Sequence, residues 1–262
     1  MDDVALPAWL LPVWGALTCL AAWALGRFLR GRPVRTGGVR PFDPPAADLL
    51  GFFVFLLAGA VLLGGFWFSG TALAGVLLLW VYREGMPGLR ARLGLGWGDL
   101  SPAAALGLGL WIAAVISLPL QLFSGAMGAL FQAFHWKTPL EPAVDLFLGT
   151  HGWRQLVPVV LAALVLAPVA EEVFFRGFLQ ALFKARFAAL GERRGAIAGG
   201  LLSALCFAAL HAHALTFLPL AAIGLVLALV HEWSGSLLLC IAVHFWFNLS
   251  TVLILLSGHT TL

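Results

Sequence analysis

Apolar residues fill whole stretches of this chain, in runs of about 17 to 25 residues, the length that crosses a hydrocarbon core about 30 Å thick. Only short polar stretches interrupt them. Runs such as "GLLSALCFAAL" show no period-2 alternation, so they read as helices and not as barrel strands. The pattern predicts spans at 6–29, 49–65, 67–82, 103–123, 155–177, 196–213, 215–231 and 236–257. Residues 49–82 as one helix would run roughly 50 Å, too long for a bilayer, so a turn is expected at Gly64 and Gly65. The stretch 124–153 is expected as an external loop and "RTGGVRPFDPP" as a cytoplasmic linker. The fold class this implies is all-α, a polytopic transmembrane helical bundle of about eight spans, with no internal repeat.

Composition sharpens the picture. The chain is 61% hydrophobic and 10% charged, too few charges for a soluble domain. Its net charge of +3 comes from basic clusters that follow spans 1, 3 and 5: Arg27, Arg30, Arg32, Arg35 and Arg40; Arg83, Arg90 and Arg92; Lys184, Arg186, Arg193 and Arg194. Lys137 and Arg154 fall on the other side. The positive-inside rule makes the clustered face cytoplasmic, and nothing points to nucleic-acid binding. The acidic start "MDDVALPAWL" lacks a basic n-region, so the first run is expected to be a true span. Richness in Ala, Leu, Gly and Arg points to a GC-rich bacterium and its inner membrane. Cys19, Cys206 and Cys240 lie apart in apolar runs and read as core residues. Trp9, Trp67, Trp80, Trp153 and Trp233 read as interfacial anchors.

The chemistry is concentrated in "AEEVFFRG", residues 170–177. An ionised side chain at mid-membrane costs about 2.5–3.5 kcal/mol, so each needs a partner or a task. Glu172 and Arg176 stand at i and i+4 in the favourable order, which makes them a structural ion pair and leaves Glu171 as the free carboxylate. Pro168 removes one backbone donor and should leave a carbonyl facing a cavity. "FAALH" puts Phe207 and His211 one turn apart, and "HFWFN" does the same for His244 and Asn248. Each histidine alone reads as a satisfied core residue. Polar pairs on three late helices are most economically explained if Glu171, His211, His244 and Asn248 meet in one cavity. Such a set supplies a general base, a proton shuttle and oxyanion donors. Glu171, His211 and His244 equally form a possible zinc set with water at the open position. No serine or cysteine has a neighbour that would make it a nucleophile, so water is the attacker.

These stretches match EExxxR, FxxxH and HxxxN, and the chain over roughly 155–257 resembles the CPBP intramembrane proteases, which include the CAAX prenyl endopeptidases and bacteriocin-processing proteins. The resemblance makes 155–257 the catalytic core and 1–154 a region of N-terminal helices plus a loop. It implies that Glu171 activates water with His211, that Glu172, Arg176 and Phe207 support them, and that His244 and Asn248 stabilise the oxyanion. It implies a membrane-bound peptide or protein substrate, lipidated or not, met within the lipid. A non-proteolytic immunity or scaffold protein of the same family is the alternative, with a proton-relay transporter third. On cofactors, Asn248 is a poor zinc ligand and a good oxyanion donor, so metal-free hydrolysis is preferred and zinc stays possible.

Other motifs carry less. "GWGD" at 96–99 fits GxGD aspartyl proteases but lacks a second intramembrane aspartate, since Asp43, Asp48 and Asp145 sit in loops or at span edges. "HEWSG" at 231–235 has Gly235 where HExxH needs histidine. Ser234 and Ser236 are expected to cap the last span, and His213 to mark a span end.

Overall fold

The computed structural model describes residues 38–63, 68–92, 102–137 and 140–258, with residues 12, 15, 16, 18 and 19 of the N-terminal segment. Most of the span expected at 6–29, the Gly64–Gly65 turn, the "GWGD" motif, Trp9 and Trp67 lie outside the described residues. Every regular element among the described residues is helical. In chain order these are α1 (Ala46–Leu63), α2 (Phe68–Arg92), α3 (Pro102–Ala133) and α4 (Pro142–Leu148). Then come α5 (Trp153–Arg186), α6 (Glu192–Leu210), α7 (Phe217–Ser234) and α8 (Leu237–Gly258). The all-α fold class therefore holds.

Five of these helices are long and apolar enough to cross a membrane: Leu106–Ala133, Trp153–Arg186, Glu192–Leu210, Phe217–Ser234 and Leu237–Ser257. Large apolar side chains stand on their outer faces, with Leu166 at 67% and Leu229 at 61% exposure. Exposed apolar surface on that scale fits a lipid-facing exterior. α1 is apolar over the shorter stretch Ala46–Ala58. α2 bends at Gly85, whose φ of 67° is left-handed, just beyond the expected span end.

Besides α2, which runs on to Arg92, other segments differ from expectation. The loop placed at 124–153 is helical to Ala133 and again at Pro142–Leu148, because its apolar residues continue the α3 pattern past Pro119. α5 runs on to Arg186, beyond residue 177, because Gln180 and Lys184 are buried partners of α7 and not the start of a loop. The linker is no free linker. Val39 and Phe42 are buried at 2% and 4%, and the Phe42 N–H donates to the Ala181 carbonyl at 3.2 Å.

α6 packs against α7, and α8 against α3. Both crossings are close because small residues face each other. A Cβ on Gly224 would come within 3.1 Å of Ala204, and one on Gly109 within 2.9 Å of Ala242. Polar ties cross the second interface, where the Gln121 side-chain amide donates to the Thr251 hydroxyl at 3.2 Å. Val76, Trp80, Phe178, Leu227 and Val243 are sealed in the centre. Trp80, expected as an interfacial anchor, is fully buried instead, because Gly177 on α5 leaves room for its ring. Ser236 caps α8 by accepting the Leu239 N–H at 3.3 Å.

Candidate active site

α5 is not a uniform α-helix. Its backbone hydrogen bonds widen to i→i+5 over Ala162–Leu166 and again over Glu172–Gln180. Such π turns are rare and tend to sit where a helix presents functional groups. The first leaves one carbonyl without a backbone donor. Ala167 donates to the Ala162 carbonyl, so in that register the donor for Ala163 would be residue 168, which is proline. Asn248 supplies the missing donor from α8, its side-chain amide meeting the Ala163 carbonyl at 2.9 Å. The carbonyl expected to be freed by Pro168 is thus taken by Asn248 rather than left to a cavity.

The second π segment carries the charges. Arg176 Nη1 lies 3.1 Å from Glu172 Oε1, both side chains wholly buried, as their spacing predicts. Arg176 also donates to the Gly224 carbonyl at 3.2 Å and stacks over the Phe207 ring at 4.7 Å. These contacts hold the guanidinium beside Glu172. The His244 Nδ1–H donates to the same Glu172 oxygen at 2.8 Å. A carboxylate only accepts, so Nδ1 carries the proton and the ring orientation is set.

The other ring nitrogen faces the neighbouring glutamate, with His244 Nε2 3.7 Å from Glu171 Oε2. The Glu171 side chain keeps 18% of its surface exposed, whereas that of Glu172 keeps none. Adjacent glutamates on one helix are therefore in different states, one sealed between Arg176 and His244, the other open beside the imidazole. His211 sits at the C-terminal end of α6, its Nδ1–H donating to the Phe207 carbonyl at 2.8 Å and its Nε2 left available. It lies within electrostatic reach of Glu171. The Phe207 ring fills the space between the two imidazoles, 4.7 Å from His211 and 6.0 Å from His244 between centroids. Asn248 stands one turn from His244 on α8, and its second amide N–H is not spent on Ala163.

The fit to zinc is poor. Among the described residues no three His, Cys, Asp or Glu side chains are grouped to hold a metal ion, and this includes Glu171, His211 and His244. His213 is buried and donates to or accepts from Thr216 at 2.9 Å, which places it in the turn after α6. Glu232 of "HEWSG" is committed to Lys184 at 2.6 Å.

Sequence reasoning missed two features. One is that Glu172 holds His244 as well as Arg176, a contact between residues 72 positions apart. The other is the inward course of Gln180 and Lys184. Their four-residue spacing after Arg176 was the available signal.

With this geometry in view, residues 153–250 match the family described as Rce1-like, type II CAAX prenyl endopeptidase Rce1-like. The match runs from the start of α5 to residue 250 within α8 and takes in all three motifs, so the resemblance to the CPBP proteases holds over that stretch. No curated protein and no solved structure matches the chain.

Proposed function

We propose that this membrane protein is an intramembrane endopeptidase that hydrolyses a peptide bond of a membrane-bound substrate with water activated by Glu171. The observation that carries the reading is the unequal partnering of adjacent glutamates around one imidazole. Glu172 is spent on Arg176 and His244, while Glu171 is open and 3.7 Å from His244 Nε2. A carboxylate with no committed cation beside it can take a proton from water. Water then attacks the carbonyl carbon, and the proton passes through Glu171 or His211 to the departing amine as the C–N bond breaks. The oxyanion is met by the second amide N–H of Asn248, with His244 beside it, its ring fixed by the Nδ1–H donated to Glu172. The family match makes lipidated, CAAX-like proteins the first substrates to try.

The test is incubation of the purified protein in liposomes with lipidated and with transmembrane peptides, with and without chelator. We expect an internal cleavage that the chelator leaves intact. Absence of product from both peptide classes contradicts the peptidase reading. Activity lost to chelation and restored by zinc replaces the metal-free mechanism with the three-ligand one.

A further inference from the structure

Arg176, Gln180 and Lys184 form a row of buried polar side chains along α5, continuing Glu172 at four-residue intervals. Their partners on α7 repeat the interval. Arg176 donates to the Gly224 carbonyl, Gln180 to the Ala228 carbonyl at 3.0 Å, and Lys184 to the Glu232 carboxylate at 2.6 Å, each pair 48 residues apart. Gln180 is 1% exposed and Lys184 5%. Lys184 also donates to the Val39 carbonyl at 3.1 Å.

On an ordinary α-helix such a row drifts around the axis. At 3.6 residues per turn each four-residue step rotates a side chain by about 40°, so three steps from Glu172 to Lys184 fan through about 120°. Where bonds run i→i+5, at roughly 4.4 residues per turn, the drift reverses to about 30° the other way. α5 is wound this second way over Glu172–Gln180 and the first way over Ala181–Arg186, and the two drifts nearly cancel. The i→i+5 bonds reduce the fan of the row along α7. Rewinding Glu172–Gln180 with i→i+4 bonds, with Lys184 held, would turn Glu171 around the axis, away from His244.

We propose that Gln180 and the Lys184–Glu232 pair are positioning residues: by docking on α7 they hold α5 underwound and so aim Glu171 at His244. The proposal rests on Glu171 being the reactive carboxylate. Buried ion pairs contribute little net stability and are better suited to specifying register. α6 approaches the backbone of α5 closely here, since a Cβ on Gly199 would lie 2.9 Å from both the Gln180 carbonyl and the Lys184 backbone nitrogen.

Two readouts test it. The first is the rate at which a small membrane-permeant thiol reagent labels the folded Glu171→Cys variant, with Cys19, Cys206 and Cys240 replaced by alanine. Adding Gln180→Met, which keeps bulk and removes the amide, should change that rate at least about tenfold. The second is hydrolysis, where Gln180→Met should lower kcat by up to about a hundredfold with KM little changed, as a misplacement of about 1 Å does. Lys184→Met should act the same way, and Lys184→Arg should recover most of what it loses. That pair decides the matter if Gln180→Met does not fold. A labelling rate within twofold of the parent in a folded Gln180→Met or Lys184→Met chain overturns the proposal. Labelling needs no activity, so a changed rate alongside a wild-type chain that cleaves neither peptide class sinks the peptidase reading and leaves the positioning claim standing.

Discussion

At the scale of single residues, neighbouring glutamates separate into two roles, and the separation has a measurable consequence. Removing Glu172 leaves Arg176 buried without its carboxylate and His244 without its orienting acceptor. Glu172→Ala should therefore cost about 3–5 kcal/mol, the range for breaking a buried pair, while Glu171→Gln should unfold close to wild type. Thermal unfolding in detergent checks this, and equal losses would contradict it. Asn248→Ala orphans the Ala163 carbonyl and should cost about 1–3 kcal/mol. Asn248→Asp, which offers no donor when ionised, should do no better in the same melt. The i,i+4 spacing made the Glu172–Arg176 pair legible in the sequence, because the contact is local. The bridge through His244 was not, because it depends on how α8 lies against α5.

At the scale of elements, helices and their order were legible from hydropathy, while winding was not. Nothing in "EVFFRGFLQ" demands i→i+5 bonds. The underwinding belongs to the docking of α5 on α7, a tertiary effect that overrides local propensity. Trp80 shows the same limit: tryptophans near span ends usually meet the interface, yet here a glycine on α5 gives the ring a place inside. A Cβ on Gly177 would sit 2.6 Å from the Trp80 ring. Gly177→Ala should thus lose about 1–3 kcal/mol through overpacking. Because the obstacle is a side chain, Trp80→Phe in the same chain should recover part of the loss. A double-mutant cycle by thermal unfolding measures that coupling, and strictly additive losses would show that the two do not meet.

At the scale of the whole molecule, the extended segment before α1 ties three helices together. Gly38 N–H donates to the Glu232 carbonyl at 2.9 Å, Phe42 packs edge-on to Phe178 at 6.1 Å, and Arg92 lies 4.4 Å over the Phe42 ring. Its Pro- and Gly-rich sequence reads as a linker because backbone contacts leave no hydropathy signature. Phe42→Ala should therefore destabilise the protein by about 3–5 kcal/mol, a core-sized loss. A change below about 0.5 kcal/mol, typical of surface positions, would show the segment to be loosely held. The central claim concerns the site that this architecture supports. Its most direct test is mass spectrometry of a membrane-embedded peptide after incubation with wild type or with Glu171→Gln, at matched folding. The account predicts a defined internal cleavage by wild type and a rate at least about a hundredfold lower for Glu171→Gln. Cleavage at the same bond and an undiminished rate in Glu171→Gln would contradict it.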